Sequence, residues 1–71
     1  MSIGEAAKIA RQNAGLTRKQ LAIQSGYGYP NIRNIEENII NPRIDMIVDI
    51  ADTLGITIDE YIGYKVKSNR G

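Results

Sequence analysis

The chain contains no cysteine and no histidine. Without cysteine there is neither disulfide stapling nor thiolate chemistry. Without histidine, the commonest general base and the commonest zinc ligand are both missing. No apolar run approaches the roughly 18 residues that a membrane span needs. No charged-then-apolar leader resembles a signal peptide either, so a cytoplasmic domain without metal or cofactor is expected. Internal repeats, low-complexity stretches and linkers are also lacking. Seventy-one residues leave room for one small domain, since about 100–150 residues is the usual domain size. So short a chain can hardly fold and also build a pocket, and no acid–base pair has a spacing that suggests a catalytic site. An enzyme is not expected.

What remains is an ordinary globular composition, 42% hydrophobic and 24% charged. The net charge of +1 argues weakly against a nucleic-acid partner, but its distribution says something different. Residues 1–35 carry Lys8, Arg11, Arg18, Lys19 and Arg33 against Glu5, a balance of +4. Residues 36–62 carry Arg43 against Glu36, Glu37, Asp45, Asp49, Asp52, Asp59 and Glu60, a balance of −6. A basic tail follows, with Lys65, Lys67 and Arg70. Charge segregated in this way can aim one face at an anion, although solvated helix faces would look the same.

The pattern predicts five helices and no strand. Ser2 and Glu5 form a capping box, with Ile3, Ala6, Ala7, Ile9, Ala10 and Ala14 repeating behind it at helical spacing up to Gly15. Thr17 caps a second helix whose inward residues are Leu21, Ala22 and Ser25, and Gly26 ends it. A third helix fits between Gly28 and about Glu37, with Ile32 and Ile35 on its buried side. Pro30 is tolerated there because the first helical turn has N–H groups without intrahelical partners. Asn38 is a left-handed stop before the loop to Pro42. Ile44, Ile47, Val48, Ala51 and Leu54 predict a fourth helix closed by Gly55. A Thr57-x-x-Glu60 box starts a short last one that buries Tyr61 and Ile62. Alternation at period two never persists, so the fold class is all-α.

The informative segment is Thr17 to Glu36, TRKQLAIQSGYGYPNIRNIE. Two short helices meet across Gly26, with Ala22 where they must approach closely. Ile32 and Ile35 anchor the second helix and leave its other face outward, the arrangement that lets a helix enter a DNA major groove.

Read in order, Gly15-Leu16-Thr17, Leu21-Ala22, Ser25-Gly26, Ile32, Ile35-Glu36, Pro42, Leu54-Gly55-Ile56 and Asp59-Glu60-Tyr61 resemble the Cro/C1-type, phage repressor-like (XRE) helix-turn-helix family. The resemblance covers Ile3 to Ile62. It implies a five-helix, lambda repressor-like domain over residues 1–63, with the helix-turn-helix at about 17–36 and a short basic tail at 64–71. It further implies sequence-specific binding to double-stranded DNA by a small transcriptional regulator, expected to act as a repressor. Arg11 and Glu36 fall where the family often places an ion pair joining the first and third helices. Arg18, at the start of the second helix, is implied to hold phosphate or an outer base, helped by the helix N-terminus. Tyr29, Pro30, Asn31, Arg33 and Asn34 occupy the outward face of the recognition helix. Asn34 suits adenine N6 and N7, while Arg33 suits guanine or a phosphate equally.

The chain departs from the family pattern in three places. Gly28 stands where a Ser or Thr cap is common. Pro30 can offer a base only apolar contact. Glu37-Asn38-Ile39-Ile40-Asn41 lacks the basic residues that often neutralise phosphates, and Arg43 is the only cation left there. Few phosphate contacts and modest affinity are therefore expected. Ile39, Ile40, Tyr61 and Tyr64 are expected to form a homodimer interface on a palindromic operator. The competing reading is an antitoxin or protein-interaction module with weak or no DNA binding.

Overall fold

The computed structural model describes residues 2–62, apart from the side chain of Ile62, so Tyr64 and the basic tail lie outside the described residues. The described residues form five helices: α1 (Ile3–Asn13), α2 (Arg18–Ser25), α3 (Tyr29–Glu36), α4 (Ile44–Leu54) and α5 (Ile58–Ile62). Their ends follow from local chemistry. Ser2 Oγ accepts from the Glu5 N–H at 3.0 Å while Glu5 Oε1 accepts from the Ser2 N–H at 3.0 Å. The same reciprocal bonding joins Thr17 to Gln20 and Thr57 to Glu60. Each box satisfies donors that a helix start otherwise leaves open.

Helix α3 stops at a second device. Asn38 sits in the left-handed region at φ +60°, a conformation asparagine tolerates better than most residues. Its side-chain carbonyl accepts from the Gly4 N–H at 2.9 Å and its amide donates to Ser2 Oγ at 3.1 Å. The end of α3 is thus stitched to the start of α1. The two backbones come so close there that a Cβ on Gly4 would run into the carbonyl oxygen of Glu36 and lie 2.8 Å from the Asn38 side chain.

Helix α1 packs on α3 and α5, α2 on α3 and α4, and α4 on α5. Their shared core is Ala7, Leu21, Ala22, Ile32, Ile35, Ile47, Ile50, Ala51 and Tyr61. Two expected faces differ from this. In α4 the inward stripe is Ile47, Ile50 and Ala51, whereas Ile44 is 68% and Val48 41% exposed. Apolar residues lie on several sides of this helix, so a 3.6-residue period fits more than one stripe. Packing against α2 and α5 selects among them.

In α1 the inward stripe is Gly4, Ala7 and Arg11, with Ala6 beside it, while Ile3 and Ile9 are exposed. The close approach to α3 selects the small residues for the inside. It also brings Arg11 inward, because a carboxylate waits there.

Tyr61 requires a correction as an interface residue. It is fully buried at 0% exposure in the shared core and offers no surface to a second chain. Its hydroxyl has no hydrogen-bond partner among the described residues. Ile40 is half-buried against the core, and Ile39 stays 58% exposed.

Candidate nucleic-acid interface

Helices α2 and α3 are set by a turn that only a few residues can make. Gly26 adopts φ +84°, and its N–H returns to the Ala22 carbonyl at 3.0 Å. That left-handed conformation costs glycine nothing and most residues 1–2 kcal/mol or so. Ala22 is 8% exposed where α2 meets its neighbours. Tyr27 leaves the turn and donates its hydroxyl to Asp49 Oδ2 at 2.7 Å, tying the turn to α4. That bond, more than burial, pushes the phenol up to about 12.

Ile32 and Ile35, both essentially without solvent contact, hold one side of α3 against the core. The opposite side is presented outward. Tyr29, Pro30 and Arg33 are exposed, and Asn31 and Asn34 are half-buried. Gly28 gives α3 no side-chain cap, and Pro30 lies in the first turn. Arg33 Nη2 donates to Asn34 Oδ1 at 3.0 Å, so these two neighbours meet before any partner arrives. Arg43 projects from the start of α4 with its side chain 83% exposed, 3.6 Å from Asp45.

Behind this face lies a cluster of four charges. Glu36, at the end of α3, has a side chain with 0% exposure. Arg11 Nε donates to its Oε2 at 2.7 Å and Arg11 Nη2 to its Oε1 at 3.0 Å. This is the two-point geometry that suits a guanidinium to a carboxylate. Arg11 Nη1 also donates to the Leu16 carbonyl at 2.7 Å, so the pair fastens α1, the loop before α2, and α3.

Arg18 joins the same cluster. Its Nε donates to Glu36 Oε1 at 3.0 Å and its Nη1 to Glu37 Oε2 at 3.1 Å. The hydrogen bond that Arg18 donates to Glu36, ahead of the other contributions, raises the Arg18 pKa above its already high ordinary value. Two guanidinium groups and two carboxylates therefore close on one another with no net charge. Sequence reasoning placed Arg18 on phosphate and passed over Glu37. The tandem acid at 36 and 37 was visible, but that Arg18 reaches back across to the end of α3 is a fact of packing.

A helix-turn-helix family matches residues 8–61 of the chain. The chain is 32% identical over 63 residues to the HTH-type transcriptional regulator ImmR of Bacillus subtilis, covering 89% of this chain. It spans about half the length of that relative, 50%. The restriction-modification controller protein C.AhdI from Aeromonas hydrophila superposes with a TM-score of 0.80 at 25% identity, over 83% of this chain and 86% of the other. The P22 c2 repressor, solved in complex with a synthetic operator, superposes with a TM-score of 0.78 at 16% identity, over 87% and 94%. With the turn, the packing and residues 8–61 all agreeing, the chain belongs to the Cro/C1-type helix-turn-helix family.

Proposed function

We propose that this chain binds double-stranded DNA sequence-specifically, with α3 in the major groove, and regulates transcription as a repressor. The observation that carries the reading is the outward face of α3. Tyr29, Pro30, Asn31, Arg33 and Asn34 stand away from a helix whose other side is locked by Ile32 and Ile35. The relatives point the same way: one is described as a transcriptional regulator and one as a controller protein, and the P22 repressor was solved on an operator. Asn34 supplies an amide for an adenine edge, and Arg33 and Arg43 supply cations for phosphate or guanine. Selection from a random duplex library tests the reading by yielding a consensus. Failure to enrich any sequence overturns it.

The protein acts on DNA as a homodimer. Ile39 is 58%, Ile44 68% and Val48 41% exposed, and these three replace Tyr61 as the apolar surface available to a second copy. Two-fold symmetry then requires a palindromic operator, with half-sites about one helical turn apart. A site without dyad symmetry, saturated by one chain, contradicts this.

A protein-interaction or antitoxin role has one observation in its favour, the neutral charge cluster where a phosphate-binding cation was expected. A salt titration on random duplex separates the readings, because phosphate contacts give a steep slope and a pure protein-binding module gives no binding. No helix among the described residues is long and apolar enough to cross a membrane.

A further inference from the structure

We propose that Glu37 is a built-in competitor for the phosphate-binding guanidinium of Arg18, so that it sets how tightly the protein holds DNA of any sequence. The inference rests on the DNA-binding reading. The two carboxylates around Arg18 are not equivalent. Glu36 has 0% side-chain exposure and is gripped at two points by Arg11, so it keeps Arg18 Nε in place. Glu37 is 45% exposed and holds only Nη1, at 3.1 Å. An incoming phosphate can take that position without moving the guanidinium from its buried anchor.

The exchange is between two oxyanions for one N–H edge. A phosphate oxygen replaces a carboxylate oxygen, Arg18 stays charged throughout, and Glu37 turns to solvent. Arg18 is thereby pre-positioned by one acid and masked by the next. A carboxylate that masks a cation weakens every duplex alike, since each nucleotide presents the same phosphate. Glu37 therefore governs affinity and leaves the consensus untouched.

Glu37→Gln keeps the size of the side chain and removes its charge. Binding to random duplex, followed by fluorescence anisotropy from 50 to 300 mM salt, should tighten about five- to tenfold near 0.1 M. The salt slope should stay nearly unchanged, because Arg18 meets the same phosphate in both complexes and only the competing carboxylate is lost. The library-selected consensus should not change.

The Arg18→Ala background supplies the decisive arm. There Glu37→Gln should have almost no effect, because the cation it masks is gone. A Glu37→Gln gain that persists undiminished in Arg18→Ala makes Glu37 an ordinary repulsive charge and overturns the proposal. So does a wild-type protein that binds duplex and a Glu37→Gln variant that binds it identically, while the DNA reading survives. If neither protein binds any duplex, the DNA reading itself fails and the masking role falls with it. Thermal melts accompany each variant, so that a folding defect is not mistaken for lost binding.

Discussion

Glu36→Gln tests the buried cluster most directly. The wild-type carboxylate accepts three hydrogen bonds, at 2.7, 3.0 and 3.0 Å, from two guanidinium groups. Glutamine offers one acceptor oxygen and sets an NH2 group against a donor. Arg11, with its side chain only 9% exposed, then has no counter-charge. Breaking a buried pair on one side costs about 3–5 kcal/mol, chiefly from the charge left behind. The whole stability of a chain this size is about 4–11 kcal/mol. With about 4–8 °C per kcal/mol for a small domain, the melting temperature should fall by at least about 12 °C. Calorimetry or urea unfolding reads the loss. The double change Arg11→Met/Glu36→Leu removes both charges and fills the space with apolar groups. Its destabilisation should be smaller than the sum of the two single changes by at least about 1 kcal/mol. Recovery stays partial because Arg18 also loses its anchor. Additivity within about 0.5 kcal/mol would mean that the two side chains do not support each other, and would refute the reasoning.

Gly4→Ala should destabilise by about 1–3 kcal/mol in a urea titration, since the new methyl meets the Glu36 carbonyl and Asn38. An exposed helical glycine would instead gain about 1 kcal/mol, so the sign of the change is the test. Tyr61→Phe should leave stability unchanged or raise it by up to about 1 kcal/mol, because it deletes a hydroxyl with no partner among the described residues. A marked loss would show that the hydroxyl is bonded after all. The Tyr27 phenol is raised from 10.0 to about 12, so the folded state holds the proton more tightly than the unfolded chain. Its contribution is complete below pH 10 and fades as pH rises towards 12, and Tyr27→Phe should flatten that part of the stability–pH curve. Asn34→Ala should relax base preference at one symmetric pair of operator positions, by about 1–3 kcal/mol of discrimination, with little change in salt slope. Equal weakening on all sequences would show that Asn34 holds the backbone instead.

The legible parts of the sequence were those where one residue settles a local question. Ser2 with Glu5, Thr17, and Thr57 with Glu60 mark helix starts through side chains that reach only three residues. Gly26, Asn38 and Gly55 mark stops through φ values of +84°, +60° and +72°. The turn residues and the isoleucines of α3 were legible for the same reason. Burial was less so. In α4 a helix apolar on several sides offered more than one stripe, and the chosen one depends on α2 and α5. In α1 the decision went against hydrophobicity, since Ile3 and Ile9 face solvent while Gly4 and Arg11 face inward. For Tyr61 the local pattern supports both burial by the last helix and a place at an interface, and contact of α5 with α1 and α4 decides for burial. Contacts between segments far apart in sequence carry this information, and no local pattern holds it.

The same distinction explains why Arg18 resisted assignment. Its position at a helix start led to the expectation of a phosphate contact, but its partners lie 18 and 19 residues away. Because Glu36 serves both Arg11 and Arg18, the fold and the proposed phosphate contact draw on one carboxylate. Selection cannot weaken Glu36 to strengthen binding without loosening the join between α1 and α3. Glu37 carries no such obligation: it is exposed and holds Arg18 at one point, and such a surface pair contributes only about 0–1 kcal/mol. A change there can alter phosphate binding at almost no cost to folding. The prediction is a separation of effects along two adjacent residues. Neutralising Glu36 should cost the fold several kcal/mol, and neutralising Glu37 should leave the melting temperature within a few degrees while tightening DNA binding. Comparable losses of stability at both positions would place Glu37 inside the structural cluster and remove the freedom to tune affinity there.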